Sequence, residues 1–317
     1  MQKTTEEIDC RQKSRTESEG YDGVQTYIGI KGEELVEVRL GKDDLLERIL
    51  SPDNLLEAYK QVVGNKGAGG VDKMGTSELL PYLNLHKDEL IESIRKGKYK
   101  PMPVRRVEIP KENGKKRQLG IPTVVDRFVQ QAISQVLMEV YEPKFSDNSY
   151  GFRPNRSAHD AIRRVQQYAN EGYCYCVDLD LERFFDTVNH SKLIQVLSET
   201  IKDGRVVSLI HKYLNAGVMV RHKYEETTEG VPQGGPLSPI LSNIILNELD
   251  NELERRGHPF VRYADDCIVL VKSLRATERV RDSIANYVEK KLFLKVNKEK
   301  TVLGSLAGKK FLGYSFY

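Results

Sequence analysis

Residues 260–271 read FVRYADDCIVLV, and two apolar runs in this stretch enclose Tyr263-Ala264-Asp265-Asp266. Both runs have the composition of buried strands, so the two carboxylates must occupy the tight turn between them. Ionised side chains beside a core are costly unless a bound cation compensates their charge. Mg²⁺ prefers oxygen ligands and often takes one or two carboxylates. The stretch therefore predicts an antiparallel hairpin with a metal site at its turn, although an Asp-Asp pair is also common in solvated turns.

A second pair of carboxylates lies at the end of another predicted strand, residues 173–181. Asp178 and Asp180 are two residues apart, so they share one face of that strand. If the strand lies beside the 260–271 hairpin, three or four carboxylates converge. Two metal ions held there can stabilise the attacking and leaving oxygens of an in-line displacement. Together the two motifs indicate metal-dependent nucleotidyl transfer.

Elsewhere the apolar periodicity predicts helices interspersed with short strands, an α+β fold with helices packed on an antiparallel sheet. Asp53 is the predicted cap of the first helix. Asn113-Gly114 predicts a hairpin turn. Residues 1–45 are acidic and weakly periodic, and they predict an extension with local structure at most. Further helices are predicted over 85–95, 126–141, 157–169, near 190–200 and 204–215, and over 237–255 and 276–290. Strands are predicted over 104–110 and 117–122 and around Lys295 and Phe311, and a short hairpin over 218–228.

The distribution of charge indicates a nucleic-acid ligand more clearly than its total. The whole chain carries +3, whereas residues 95–117 contain ten Lys or Arg against Glu108 and Glu112, a net +8. A concentrated basic segment on a near-neutral body is typical of phosphate binding, with a solvated charged face as the alternative. No apolar run is long enough to span a bilayer, and the polar first residues lack the pattern of a signal peptide.

Four cysteines occur, at positions 10, 174, 176 and 267. Cys174 and Cys176 form a Cys-x-Cys pair without a partner cluster, which is a weak signal for zinc. We interpret them as two small buried side chains on one strand face. This cysteine usage fits a reducing, cytoplasmic compartment.

Seven sequence blocks recur here in the order typical of one family. The chain resembles bacterial group II intron-encoded proteins, the reverse transcriptases that also act as maturases, from about Leu46 to the C-terminus. The blocks are Asn65 to Asp72; Ile109 to Thr123 with Asp126-Arg127; Ser149 to Pro154; Asp180 to His190; Pro232 to Gly235; Tyr263 to Asp266; and Leu294 to Thr301 with Phe311 to Tyr314. The Asn-Lys-Gly block and Ala264 favour group II intron enzymes over retroviral ones, and the Asn-Lys-Gly block also argues against a retron or defence-system enzyme.

The resemblance implies a right-hand polymerase with fingers and palm. It divides the chain into an N-terminal extension (1–45), fingers (46–145) and a palm (146–317), with a returning fingers segment near 191–230. The family continues into a helical thumb, so we expect a fragment with the thumb absent and with weak synthesis.

The resemblance also assigns roles to individual residues. Phe185 matches a steric gate that excludes a ribose 2′-hydroxyl, although Phe184 and Phe185 could both be core aromatics. Lys111 and Arg117 match residues that hold the triphosphate. A three-residue loop at 113–115 would place Lys111 opposite Arg117, and a two-residue loop would not, so the resemblance favours the longer loop. The resemblance assigns catalysis to Asp180, Asp265 and Asp266, and metal binding to Asp180, Leu181 and Asp265. It assigns nucleotide binding to Lys111, Arg117, Phe185, Gln233 and Gly234, and the role of candidate general acid to Lys300. Asp178 is then not a direct metal ligand and has a supporting or structural role.

The expected partners are group II intron RNA, an RNA template with a DNA primer, and deoxynucleoside triphosphates. The cofactor implied is a pair of Mg²⁺ ions, for which Mn²⁺ can substitute. We expect no membrane partner, and a homodimer is one possible assembly. The alternative function is an RNA-binding splicing cofactor with little polymerase activity without its thumb. Candidate RNA-binding residues are Lys66, Arg95, Lys96, Lys98, Lys100, Arg105, Arg106, Lys115, Lys116, Arg153 and Arg156.

Overall fold

The computed structural model describes residues 25–31, 34–40, 45–110, 116–221 and 223–317. The chain divides into two compact units, Met1–Lys42 and Asp43–Tyr317. In the first unit, β1 (Gln25–Lys31) pairs antiparallel with β2 (Glu34–Leu40). The sequence predicted only an extension with local structure for this region and did not identify the hairpin.

The second unit alternates helices with short strands, and the α+β fold predicted from the sequence is confirmed. The helices are α1 (Leu45–Ile49), α2 (Pro52–Gly64), α3 (Leu79–Arg95), α4 (Val124–Tyr141), α5 (Ala158–Asn170), α6 (Phe184–Thr187), α7 (His190–Thr200), α8 (Gly204–Leu214), α9 (Ser238–Arg255) and α10 (Leu274–Lys291). The strands are β3 (Val104–Pro110), β4 (Lys116–Ile121), β5 (Tyr175–Leu179), β6 (Val218–Val220), β7 (Lys223–Glu225), β8 (Phe260–Tyr263), β9 (Asp266–Val271), β10 (Val302–Ser305), β11 (Lys310–Phe311) and β12 (Tyr314–Ser315).

Two predictions about individual elements were wrong: the residue that caps the first helix, and the strand around Lys295. Helix α2 is capped by Ser51, whose side chain accepts a hydrogen bond from the Asn54 amide, and not by Asp53. Proline favours the first helical position, so Pro52 moves the cap one residue before itself. No strand forms at Lys295; among the described residues there, Val296 makes one isolated bridge to Leu181.

The central sheet has the order β10-β5-β9-β8, with every pair antiparallel. It separates two apolar cores. Val177 and Leu179 face the larger core, which also contains the apolar positions of α9 and α10, and Cys176 and Ile268 face the smaller core with α5. This alternation follows from the two-residue period of a strand. The prediction that Cys174 and Cys176 are both buried on one strand face was partly wrong, because Cys176 is buried whereas Cys174, which precedes β5, is exposed.

The second sheet has the order β4-β3-β6-β7. β6 pairs parallel with β3, so a later segment of the chain joins the sheet that β3 and β4 begin. The register places Ile109 opposite Arg117 and Pro110 opposite Lys116. The predicted pairing of Lys111 with Arg117 was therefore wrong. Pro110 and Lys116 are the last described pair of this hairpin, and residues 111–115, which include Lys111 and Lys115, lie outside the described residues.

Candidate active site

The turn between β8 and β9 carries the two adjacent carboxylates. Tyr263 pairs with Asp266, so Ala264 and Asp265 form the two-residue turn itself. Ala264 has φ +57°, a left-handed conformation that is unfavourable for a residue with a Cβ atom. Asp265 is half-buried and Asp266 is exposed at the start of β9. The hairpin predicted from residues 260–271 is thus present, with its carboxylates at the end of the sheet.

The neighbouring strand β5 brings its carboxylates to the same end. Leu179 pairs with Cys267, so one step further along the register Asp180 comes level with Asp266. The protein surrounding Asp266 limits its hydration, although the residue still touches solvent. This desolvation, together with the charges of Asp265, Asp178 and Asp180, raises the pKa of Asp266 to about 6. The four carboxylates therefore repel one another, and a cation would relieve that repulsion.

Two lysines from the C-terminal part of the chain face this cluster. Lys309 Nζ lies 2.9 Å from Asp178 Oδ2, and both side chains are largely shielded from solvent. Lys300 Nζ lies 3.6 Å from Asp180 Oδ2 at an exposed position. The backbone of Asp180 is also held, since its carbonyl accepts from the Asn297 amide at 2.8 Å. Asp178 thus has a close partner of its own, and Asp180 is the freer of the two.

The donor set suits a hard divalent cation. Carboxylate oxygens are the ligands that Mg²⁺ prefers, and Mg²⁺ commonly completes its shell with substrate phosphates and water. Across the described ranges, no group of three or more His, Cys, Asp or Glu side chains is arranged to hold a metal by itself. The carboxylates at this end of the sheet therefore fit an ion whose remaining ligands come from a phosphate and water.

A cleft of about 170 Å³ lies between the sheet of β3, β4 and β6, the start of α6 and the loop before α9. It is lined by Phe185, Gly230 and Gln233 on one side and by Arg106 and Gln118 on the other. Phe184 contacts Phe185 edge to face, with ring centroids 5.1 Å apart, but does not line the cleft. Of the two adjacent aromatic residues, only Phe185 lines the cleft, although both are mainly buried.

Two predicted nucleotide-binding residues are brought together at the edge of this cleft. Arg117 Nε donates to Gln233 Oε1 at 2.8 Å. The Gly120 amide donates to the Gln233 carbonyl at 2.7 Å, which attaches the loop before α9 to β4. At Gly234, with φ +120°, a Cβ would lie 2.7 Å from the Gly120 carbonyl oxygen. Glycine at 234 is therefore required for this close approach.

The predicted RNA-binding residues differ in whether their positive charges are already paired with carboxylates. Lys66, Lys98 and Lys100 are exposed, and no ion pair engages them in the part of the chain that the structure describes. Four others pair with surface carboxylates: Arg95 with Glu47, Lys96 with Glu92, Arg106 with Glu225 and Lys116 with Glu108. Surface ion pairs of this kind are weak, so these cations can still exchange partners.

Three of the predicted RNA-binding arginines hold loops. Arg153 is 7% exposed, and its guanidinium donates to Glu142 and to the carbonyls of Ser146 and Ser149. This burial leaves Arg153 without a free face, and we correct its predicted role to a structural one. Arg105 donates twice to the Gly69 carbonyl, and Arg156 pairs with Asp147 at 2.8 Å.

Sequence patterns did not identify two charged residues of the site. Lys309 lies far along the chain from Asp178, and no local motif marks it. Arg262 lies inside an apolar run, yet its side chain is 0% exposed and forms an ion pair with Asp250. Its one available signal was the presence of a charge in a strand that is otherwise apolar.

The chain is similar to proteins of known family. The family model described as "Reverse transcriptase (RNA-dependent DNA polymerase)" matches residues 109–316. Protein YkfC of Escherichia coli K12 is 35% identical over 297 residues, covering 81% of this chain and 78% of YkfC. Group II intron-encoded protein LtrA of Lactococcus lactis subsp. cremoris is 32% identical over 339 residues, covering 85% of this chain and 56% of LtrA. The chain thus spans about half the length of LtrA.

A solved structure agrees at the level of the fold. Apo telomerase from Candida Tropicalis aligns with a TM-score of 0.55 at 16% identity, covering 74% of this chain and 51% of that one. Within the described ranges, no helix has both the length and the apolar character needed to cross a bilayer.

Proposed function

The chain belongs to the reverse transcriptase family, with group II intron-encoded proteins among its relatives, and on that basis we propose how its site copies RNA into DNA. Its class of activity is RNA-directed DNA polymerase. The proposed substrates are an RNA template with an annealed DNA primer and deoxynucleoside triphosphates. Group II intron RNA is the proposed structured partner, and a bacterial cytoplasm is the proposed location.

One observation carries this proposal: the carboxylates of two neighbouring strands converge at one end of the central sheet. Asp265 lies in the turn after β8, and the register of β5 with β9 brings Asp180 level with Asp266. Negative charge concentrated in this way suits a site that binds a cation together with a triphosphate. Asp265, Asp180 and Asp266 are the proposed catalytic residues.

Two Mg²⁺ ions, replaceable by Mn²⁺, are the proposed cofactors. Asp180 and Asp265 would hold them through carboxylate oxygens, and Leu181 through its backbone carbonyl because its side chain is apolar. Bound there, Mg²⁺ supplies charge stabilisation to the attacking 3′-oxygen and to the leaving pyrophosphate. Lys300, whose Nζ lies 3.6 Å from Asp180 Oδ2, is the proposed proton donor to the pyrophosphate.

The cleft beside Phe185 is the proposed nucleotide site. The Phe185 ring would fill the space that a ribose 2′-hydroxyl needs. Arg117 offers a planar fork of donors to phosphate oxygens, and Gln233 orients that fork through its own hydrogen bond. Gly234 allows the loop to approach closely. Lys111 stays a prediction because it lies outside the described residues.

The proposed domains follow the hand-shaped arrangement implied by the family. Residues 46–145 form the fingers and 146–317 the palm, with 1–45 as an extension. The pairing of β6 with β3 supports the assignment of residues near 191–230 to a returning fingers segment. RNA would contact the exposed cations Lys66, Lys98 and Lys100 mainly through its phosphates.

Primer extension and RNA binding, measured side by side, test this function. The wild type, Asp265→Ala and the control Asp88→Ala would be given Mg²⁺ and an RNA template with an annealed DNA primer. Asp88 is exposed on α3, so its loss controls for the removal of one negative charge. We expect extension by the wild type and Asp88→Ala alone, with equal RNA binding by all three. RNA binding without extension by any of them would instead favour the splicing-cofactor alternative.

A further inference from the structure

Arg262 is buried completely within the strand that leads into the catalytic turn. Its Nε donates to Asp250 Oδ1 at 2.8 Å, and its Nη2 lies 2.5 Å from Asp250 Oδ2. Both side chains are 0% exposed. Removing an ion pair from water is costly, and apolar residues of similar size often stabilise a fold equally well. A role beyond stability is therefore worth seeking for this pair.

The third nitrogen of Arg262 reaches the catalytic turn itself. Nη1 donates to the Ala264 carbonyl at 2.9 Å and to Asn243 Oδ1 at 2.9 Å. Asn243 is 0% exposed, and its Nδ2 donates onward to the Gly151 carbonyl at 2.9 Å. The orientation of the amide is fixed because arginine only donates and a carbonyl only accepts. One continuous buried network thus joins α9, the turn and the loop that contains Gly151.

Gly151 contacts the turn from its other side. A Cβ at this position would lie 2.2 Å from the Ala264 nitrogen, which is closer than real atoms approach. The same segment is hydrogen-bonded to β8, since the Tyr150 amide donates to the Arg262 carbonyl at 2.8 Å and the Arg262 amide donates to Asn148 at 2.9 Å. Ala264 is therefore enclosed between the Arg262 side chain and the Gly151 backbone.

This enclosure accounts for the unusual backbone of the turn. Ala264 adopts φ +57°, which a residue with a Cβ holds only where its surroundings impose it. The peptide on either side of Asp265 then has a fixed direction, which sets the position of the Asp265 Cβ atom that carries the carboxylate.

We infer that Arg262, Asn243 and Gly151 are positioning residues that set the Asp265 carboxylate for metal binding. The inference rests on the proposed function, because it deepens the role of the same carboxylates. None of the three touches the reacting atoms. Each acts on Asp265 through the backbone of Ala264.

The most selective test adds one methyl group at Gly151. Gly151→Ala would be compared with Gly204→Ala, where an added Cβ meets no atom within 4 Å. Mn²⁺ alone serves as the probe, and its binding is measured from the loss of the free-ion signal in electron paramagnetic resonance. Melting temperature, RNA binding and the kcat and KM for primer extension are recorded for the same preparations.

We expect Gly151→Ala to bind Mn²⁺ about 10-fold more weakly and to lose about 100-fold in kcat, the scale of a displacement near 1 Å. Its RNA binding should match that of Gly204→Ala. Mn²⁺ binding equal to the control would overturn the inference, whatever happens to stability. If Gly151→Ala does not fold, Mn²⁺ binding by Asn243→Ala tests the inference instead. In that variant Arg262 keeps its hydrogen bonds to Asp250 and to the Ala264 carbonyl.

Asp265→Ala separates this inference from the proposed function. If Asp265→Ala binds Mn²⁺ as well as the wild type does, the proposed metal site itself is wrong. If Asp265→Ala loses Mn²⁺ binding and neither Gly151→Ala nor Asn243→Ala does, only the positioning inference is wrong.

Discussion

Arg117 on β4 donates a hydrogen bond from Nε to Oε1 of Gln233, 2.8 Å away in the loop before α9. The bond uses the Nε edge of the guanidinium, and among the described residues no hydrogen bond engages its two terminal nitrogens. Because Gln233 also lines the cleft that contains Phe185, the arginine is held beside that cleft. The contact therefore orients a cation toward the proposed triphosphate site before any nucleotide arrives.

Arg117→Lys should raise the KM for deoxynucleotides by about 10- to 100-fold. Lysine keeps the positive charge but loses the planar fork, and a hydrogen bond to a charged group contributes about 1.5–3 kcal/mol. Steady-state extension at varied nucleotide concentration measures the effect, with surface Arg281→Lys on α10 as the matched control. An unchanged KM would remove Arg117 from the nucleotide site.

Phe185→Val should allow incorporation of ribonucleotides, whereas Phe184→Val should not. The two rings are adjacent and both mainly buried, so the variants lose similar buried volume, but only Phe185 lines the cleft. The ratio of kcat/KM for ribonucleotides and deoxynucleotides measures the discrimination. If both variants keep the wild-type ratio, the ring at 185 is a core residue and not a steric gate.

The carboxylate end of the site was predictable from the sequence because it depends on local patterns. The apolar runs on either side of Asp265-Asp266 require a hairpin, and the two-residue period of a strand puts Asp178 and Asp180 on one face. Most helices were predictable for the same reason, since their apolar stripes repeat every three to four residues.

The features that the sequence did not predict depend on contacts between segments that lie far apart along the chain. Arg262 is tolerated in a buried strand because Asp250, on a different element, neutralises it, and burial raises the pKa of Asp250 while Arg262 opposes that rise. Lys309 reaches Asp178 only once β10 has paired with β5. The register of β3 and β4 was predicted two residues away from the observed one, since Arg117 pairs with Ile109 and not with Lys111, because the Asn-Gly signal indicates a turn without fixing its register.

Asp266→Asn should stabilise the metal-free protein at pH 8 and have little effect near pH 4. The folded-state pKa of Asp266 is about 6, above its ordinary 3.8, so the folded protein binds a proton between these values that the unfolded chain does not. Stability conferred by that proton is present at low pH and is lost as pH rises through 6. After allowance for solvent screening, the difference at pH 8 is on the order of 1 kcal/mol.

Chemical denaturation without divalent ions, repeated from pH 4 to pH 8, measures this difference. Asp282→Asn on α10 is a suitable control because that carboxylate lies beside Arg281 rather than beside other acids. A difference between Asp266→Asn and the wild type that stays constant across this pH range would show that neither desolvation nor the neighbouring carboxylates raise the pKa of Asp266 in the folded protein.

Lys98→Ala combined with Lys100→Ala should weaken RNA binding and flatten its dependence on salt. Both lysines are exposed, and no ion pair engages them among the described residues, so each is free to neutralise a phosphate and release a counterion. Each lost phosphate contact should reduce the slope of log K against log salt concentration by about 0.7–0.9. The double variant Lys290→Ala with Lys291→Ala, at the exposed end of α10, removes the same charge elsewhere. Equal slopes for the two double variants would mean that net charge, and not a defined surface at residues 98–100, determines the affinity for RNA.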